Sequence, residues 1–269
     1  MLSFPKETSC FLWGPRQTGK STLLHERFPA SKKYDLLLSN EFRRLTHQPS
    51  ILREECLAAY GRGELKSQPV IIDEVQKIPE LLDEVHWLME NKGIHFLLCG
   101  SSARKLKRGR GNLLGGRAVR LVLHPLVFPE IPDFSIQSAF NDGLLPPHYG
   151  NELARQKLEA YVGDYLKEEI VAEGATRNIP GFSRFLELAA LSNGEIIQFT
   201  TIARDCGVSS PTVKAYYQIL EDTLLGNWVP VYQKRPKRRI VHSPRFYFFD
   251  VGIVAFLTRR GQVEQGSEL

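Results

Sequence analysis

The sequence predicts an α/β protein in two parts, a parallel sheet flanked by helices and then a mostly helical domain. Three observations carry that reading. Short apolar runs in the first half lack the polar alternation of a half-buried strand, so they read as strands covered on both faces. Helix-like segments separate those runs, as crossovers between parallel strands require. Beyond Pro125, where Pro129, Pro132, Pro146 and Pro147 interrupt regular structure, helical spacing takes over.

Taken in order, Cys10 to Trp13 is the first strand and Ser21 to Glu26 begins a helix. Tyr34 to Leu38 reads as a second strand, followed by polar helical stretches at Glu41–Leu45 and Ser50–Ala59. Pro69 to Glu74 is a β-branched run ending in two carboxylates, and Leu81–Glu90 a further helix. His95–Cys99 and Ala118–Leu123 are the last two strands. The expected domains are 1–127 for the sheet, 128–195 for a linker and helical subdomain, and 196–269 for a winged helix. In the middle segment, Leu153, Leu158, Tyr161, Val162 and Tyr165 keep helical spacing, and Gly181–Leu191 follows as a second helix.

The first strand opens into Gly14-Pro15-Arg16-Gln17-Thr18-Gly19-Lys20-Ser21-Thr22, a full match to G-x-x-x-x-G-K-[ST]. A strand, a glycine-rich turn and a helix start make a phosphate cradle. The loop's N–H groups point inward and the helix dipole adds partial positive charge. Lys20 is placed to reach the β- and γ-phosphates of ATP, and the Ser21 hydroxyl to ligate Mg²⁺. In such a P-loop fold, Asp73 at the end of an apolar strand holds Mg²⁺, and Glu74 orients or deprotonates the attacking water. After the next strand, a small hydroxyl at Ser101 or Ser102 can sense the γ-phosphate, or cap the following helix; residue type does not separate the two serines. Arg117 ends a glycine- and cation-rich stretch and is a candidate arginine finger, acting in cis or across a subunit boundary. A solvated cationic loop is the plainer reading of the same residues.

Phe199 to Leu224 has the pattern of a helix-turn-helix: Ala203, Gly207 and Val213 at spacings of four and ten. Ser210 is expected to cap the second helix, with Pro211 at its first position. Asn227–Tyr232 and Arg245–Phe249 resemble the strands of a wing, with Lys234-Arg235-Pro236-Lys237-Arg238-Arg239 between them. A DNA-binding reading would put Ser209, Ser210, Thr212 and Lys214 toward the major groove and Lys234, Arg235, Lys237, Arg238 and Arg239 on phosphates. The same unit reads equally as a lid or an oligomerisation surface, since its second helix carries only Lys214 as a cation and ends in Glu221 and Asp222.

Bulk properties narrow the setting. A length of 269 residues allows one large or two ordinary domains, and the net charge of +5 permits contact with a polyanion without requiring it. Cys10, Cys56, Cys99 and Cys206 form no C-x-x-C pair and read as buried thiols in a reducing compartment. No apolar stretch approaches the roughly 20 residues that cross a bilayer, and no secretory h-region precedes the first strand. The expectation is a cytoplasmic protein without membrane contact.

With both halves in view, the chain resembles a prokaryotic family of AAA-like ATPases, an AAA_14 domain followed by a DUF4143 domain. The residues that carry the resemblance are the P-loop, Ile72-Asp73-Glu74-Val75-Gln76, Gly100-Ser101-Ser102, Gly116-Arg117, Val208–Val213 and Ser243–Gly252. The resemblance implies ATP binding and hydrolysis. Members of that family continue into a nuclease-like domain, which would lie beyond Leu269, so nuclease activity is not carried over. The expected function is a Mg²⁺-dependent ATPase that couples nucleotide state to movement of a winged-helix domain, with duplex DNA and further copies of the chain as candidate partners. The alternative is a nucleotide-gated switch or scaffold that holds ATP or ADP, turns over little and binds no DNA.

Overall fold

The computed structural model describes residues 2–65, 68–102, 114–166, 178–230 and 244–264. The chain divides into two compact units, Met1–His124 and Pro125–Leu269.

The first unit is a five-stranded parallel sheet flanked by helices, a P-loop NTPase fold. Its elements are β1 (Cys10–Trp13), α1 (Lys20–Arg27), β2 (Lys33–Asp35), α2 (Ser39–His47), α3 (Ser50–Gly61), β3 (Val70–Asp73), α4 (Leu81–Lys92), β4 (Phe96–Gly100) and β5 (Val119–Val122). The strand order is β2-β3-β4-β1-β5. Every residue of β1 and of β4 is buried, as their unbroken apolar runs require of central strands. Alternate residues of β1 serve opposite faces. Cys10 and Leu12 pack with Leu24 of α1, Ile71 and Leu97, while Phe11 and Trp13 stack with ring centroids 5.2 Å apart.

Two strands depart from expectation, and both are edges. β2 stops at Asp35 rather than Leu38, because the Asp35 carboxylate accepts the Leu37 N–H at 2.8 Å and turns the chain. β5 pairs only with β1, and its Val119 is 42% exposed, so it is not covered on both faces.

The register aligns the ends that matter. Trp13 pairs with Gly100, and Ile72 with Leu98. The segments that follow β1, β3 and β4 therefore emerge together at the carboxyl edge of the sheet, where ligands bind in open α/β folds.

The second unit is mostly helical: α5 (Ile136–Asp142), α6 (Ala154–Ala160) running into a π-helical turn (Tyr161–Leu166), α7 (Ile179–Leu191), α8 (Phe199–Cys206), α9 (Ser210–Asp222) and α10 (Val251–Leu257). Its strands β6 (Gly226–Val229) and β7 (Arg245–Phe248) pair antiparallel. One aromatic core joins them: Phe182 and Phe185 of α7 meet Tyr216 and Tyr217 of α9, and Tyr217 meets Trp228 and Phe246. Buried Asp250 ties this unit together. It accepts Leu144 N–H at 2.6 Å and caps α10 through Ile253 N–H at 3.1 Å. All four cysteines are free and buried. No helix among the described residues is long and apolar enough to cross a membrane.

Candidate functional site

The P-loop connects β1 to α1 and is built on tight backbone constraints. Gly19 adopts φ 87°, a left-handed conformation that costs glycine nothing, and so turns the chain into the first residue of the helix. Gly14 is required for a different reason. A Cβ there would lie 2.5 Å from the Leu123 carbonyl oxygen and 3.1 Å from Thr18 Oγ1. Thr18 Oγ1 in turn donates to Pro15 O at 2.9 Å, closing the loop on itself. Arg16, Gln17, Ser21 and Thr22 remain exposed.

Lys20 is buried, and its ammonium donates to the Gly14 and Pro15 carbonyls, each at 2.7 Å. Burial lowers its pKa, while Cys99 and the carboxylates of Glu74 and Asp73 pull the other way. Across the edge, Ser21 Oγ donates to Asp73 Oδ2 at 2.6 Å. A hydroxyl and a carboxylate in direct contact, beside the start of α1, form an oxygen donor set that suits a hard cation such as Mg²⁺.

Glu74 follows Asp73 in a left-handed conformation, φ 58° and ψ 41°. Its N–H donates to Asp73 Oδ1 at 3.0 Å. The side chain is buried, and desolvation first, then the neighbouring Asp73 charge, raises its pKa. Gln76 Nε2 donates to Glu74 Oε2 and, at 3.1 Å, to Ser101 Oγ. Ser101 and Ser102 are both buried, and Ser101 is the one joined to Glu74 through this amide. The structure thus brings Lys20, Ser21, Asp73, Glu74 and Ser101 to one edge. The sequence alone assigns Gln76 no role. The signal available was a lone amide two residues beyond the carboxylate pair.

Arg117 stands elsewhere. Val119 pairs with Cys10, so Arg117 lies before the amino end of β5, at the opposite edge of the sheet from the P-loop. Four residues of strand, about 13 Å, separate the two edges. Its guanidinium pairs with Glu90 at the end of α4. This placement sets Arg117 away from the P-loop edge of its own sheet, in an exposed ion pair that also suits a solvated cationic segment. The stretch before it, residues 103–113, lies outside the described residues.

In the second unit, α8 and α9 are joined by Gly207 at φ 70°. The N-cap of α9 is Ser209, not Ser210. The Ser209 hydroxyl accepts Thr212 N–H at 3.3 Å, which moves Pro211 to the second helical position. Lys214 is exposed with its ammonium 5.3 Å from the centroid of the Phe199 ring, and Ser210 and Thr212 are partly exposed. Lys234, Arg235, Lys237, Arg238 and Arg239 lie outside the described residues.

Comparison with known proteins follows this division. Residues 6–132 match the model of the AAA domain, and residues 137–264 match a domain of unknown function, DUF8612. The second match corrects the expected DUF4143. No curated protein matches the chain. Among solved structures, that of the Aeropyrum pernix Orc1 protein in complex with DNA is similar at 14% identity over 96% of this chain and 87% of that one, with a TM-score of 0.32. The first unit therefore carries a match to the AAA domain over residues 6–132.

Proposed function

We propose that the chain is a Mg²⁺-dependent ATPase whose nucleotide state moves the winged-helix part of its second unit. The observation that supports this most is the convergence of Lys20, the Ser21–Asp73 pair and Glu74 on the carboxyl edge of one sheet. In this reading Lys20 transfers its donors from the Gly14 and Pro15 carbonyls to the β- and γ-phosphate oxygens, and the P-loop N–H groups hold the phosphates in place. Ser21 and Asp73 would hold Mg²⁺, which when bound neutralises charge on the phosphates. Glu74 takes the proton of the attacking water, and its raised pKa, from burial and the Asp73 charge, favours that transfer. Ser101 is the γ-phosphate sensor. Arg117 acts from a neighbouring copy of the chain.

Duplex DNA is the proposed partner of the second unit. What supports it is the helix-turn-helix of α8 and α9, which leaves Ser210, Thr212 and Lys214 accessible at the start of α9.

One measurement tests these readings together: phosphate release under multiple turnover against protein concentration, with and without duplex DNA. Wild type should turn over ATP. Lys20→Ala should lose ATP binding, and Glu74→Gln should bind ATP but not turn it over. Wild-type binding without turnover would favour a nucleotide-gated switch, and equal turnover by Glu74→Gln would sink the role given to that residue. DNA that neither binds nor stimulates would leave the second unit as a lid or assembly surface.

A further inference from the structure

The geometry points to Gln76 as a positioning residue for hydrolysis: its carboxamide locks the Glu74 carboxylate to the Ser101 hydroxyl, so that sensor and base move as one. This inference rests on the hydrolytic reading of the site. Gln76 sits in the 3₁₀ turn Val75–Lys77 directly after Glu74 and is only 6% exposed. Its amide carries two N–H bonds, and Nε2 spends them on acceptors that follow two different strands, Glu74 after β3 and Ser101 after β4. An ionised carboxylate only accepts, which fixes the amide with nitrogen toward Glu74.

The side chain is also held from behind. A Cβ at Gly100 would overlap Gln76 Oε1 and come within 2.7 Å of Trp13 Cζ3, so the bare glycine leaves the slot in which the amide lies. In that slot Gln76 Oε1 is buried and has no hydrogen-bond partner among the described residues. A buried, unpaired carbonyl carries a cost that an apolar side chain of the same length would avoid. The position therefore favours methionine as packing and glutamine only for what Nε2 holds.

That contrast makes the inference testable. Gln76→Met should stay folded and melt within roughly 5 °C of wild type, since losing the unpaired carbonyl offsets losing the amide's two hydrogen bonds, keep its KM for ATP within about threefold, and lose kcat by about tenfold to a hundredfold, the cost of a loosely held base. Gln76→Asn, one methylene short of bridging both acceptors, should show the same split and serves if the methionine variant does not fold. Steady-state phosphate release and thermal melts on the full chain read both. A folded variant of either kind that turns over within twofold of wild type would overturn the inference, as would KM rising in step with falling kcat. A wild-type chain without turnover would instead overturn the hydrolytic reading, and this inference with it.

Discussion

Gly14→Ala is the sharpest test of how the P-loop is built, because the added atom has one place to go and that place is taken. The new Cβ would sit 2.5 Å from Leu123 O, where ordinary van der Waals contact begins at 3.4 Å, an overlap of about 0.9 Å. Leu123 O is backbone and cannot swing aside. Its own N–H donates to Trp13 O at 2.7 Å, and Val122 pairs with Trp13 in the sheet. The P-loop must therefore lift from β5. Overpacking of this kind costs about 1–3 kcal/mol. For a unit of this size each kcal/mol corresponds to roughly 3–6 °C, so the melting point of the first unit should fall by about 3–18 °C. Because Gly14 O is also an acceptor for Lys20, the stabilisation that ATP confers should shrink with it. Gly61→Ala is the control: nothing lies within 4 Å of that Cβ near the end of α3, and helix propensity favours alanine by up to about 1 kcal/mol. Thermal melts with and without Mg-ATP measure both. If Gly14→Ala melts within a degree of wild type and keeps the full ATP shift, the account of the loop's contact with β5 is wrong.

Two further outcomes follow from the described contacts. Asp250→Asn should destabilise the second unit by about 1–3 kcal/mol, since an amide can present only one oxygen to the Leu144 and Ile253 N–H groups; urea unfolding followed by Trp228 fluorescence reads it, and an unchanged midpoint would refute the tie. Arg117→Ala should leave stability nearly untouched, because the exposed pair with Glu90 contributes under about 1 kcal/mol. It should nevertheless cut turnover by at least about a hundredfold, with partial recovery on mixing with Glu74→Gln chains, as catalysis across subunits requires. Wild-type turnover by Arg117→Ala would remove it from the mechanism.

What the sequence reveals here is what depends on local chemistry. The P-loop is legible because its glycines meet local backbone demands, a left-handed turn at Gly19 and a close approach at Gly14. The central strands are legible because burial on both faces leaves unbroken apolar runs at β1, β3 and β4. The features that escape depend on partners distant in the chain. Ala118–Leu123 reads as a buried strand, yet only the strand order makes it an edge. Arg117 reads as a finger because it neighbours a strand, but its distance from the P-loop follows from β5 running parallel to β1. The cap of α9 is a choice between adjacent serines, decided by which hydroxyl reaches Thr212. Gln76 escapes because its role lies in a contact with Ser101, 25 residues on.

The carboxylate pair shows most directly why the site had to break a rule of its own fold. Along a strand, successive side chains leave on opposite faces. Continued past Asp73, β3 would send Glu74 away from the face on which Asp73 meets Ser21. The chain avoids this by leaving the strand at Glu74 through a left-handed residue, φ 58°, which costs a non-glycine residue about 1–2 kcal/mol. Glycine would remove that strain and the carboxylate with it. Hydrogen bonds gathered at the turn offset the cost: Glu74 N–H to Asp73 Oδ1 at 3.0 Å, Lys77 N–H to Glu74 O at 2.9 Å, and the Gln76 amide to the Glu74 side chain. One turn thus converts a pattern that separates neighbouring side chains into one that serves a single edge, Asp73 toward Ser21 and Glu74 toward Gln76 and Ser101. The strain at Glu74 is therefore a consequence of placing two carboxylates at consecutive positions on one edge, and the residues that relieve it are the same ones that orient the Glu74 side chain.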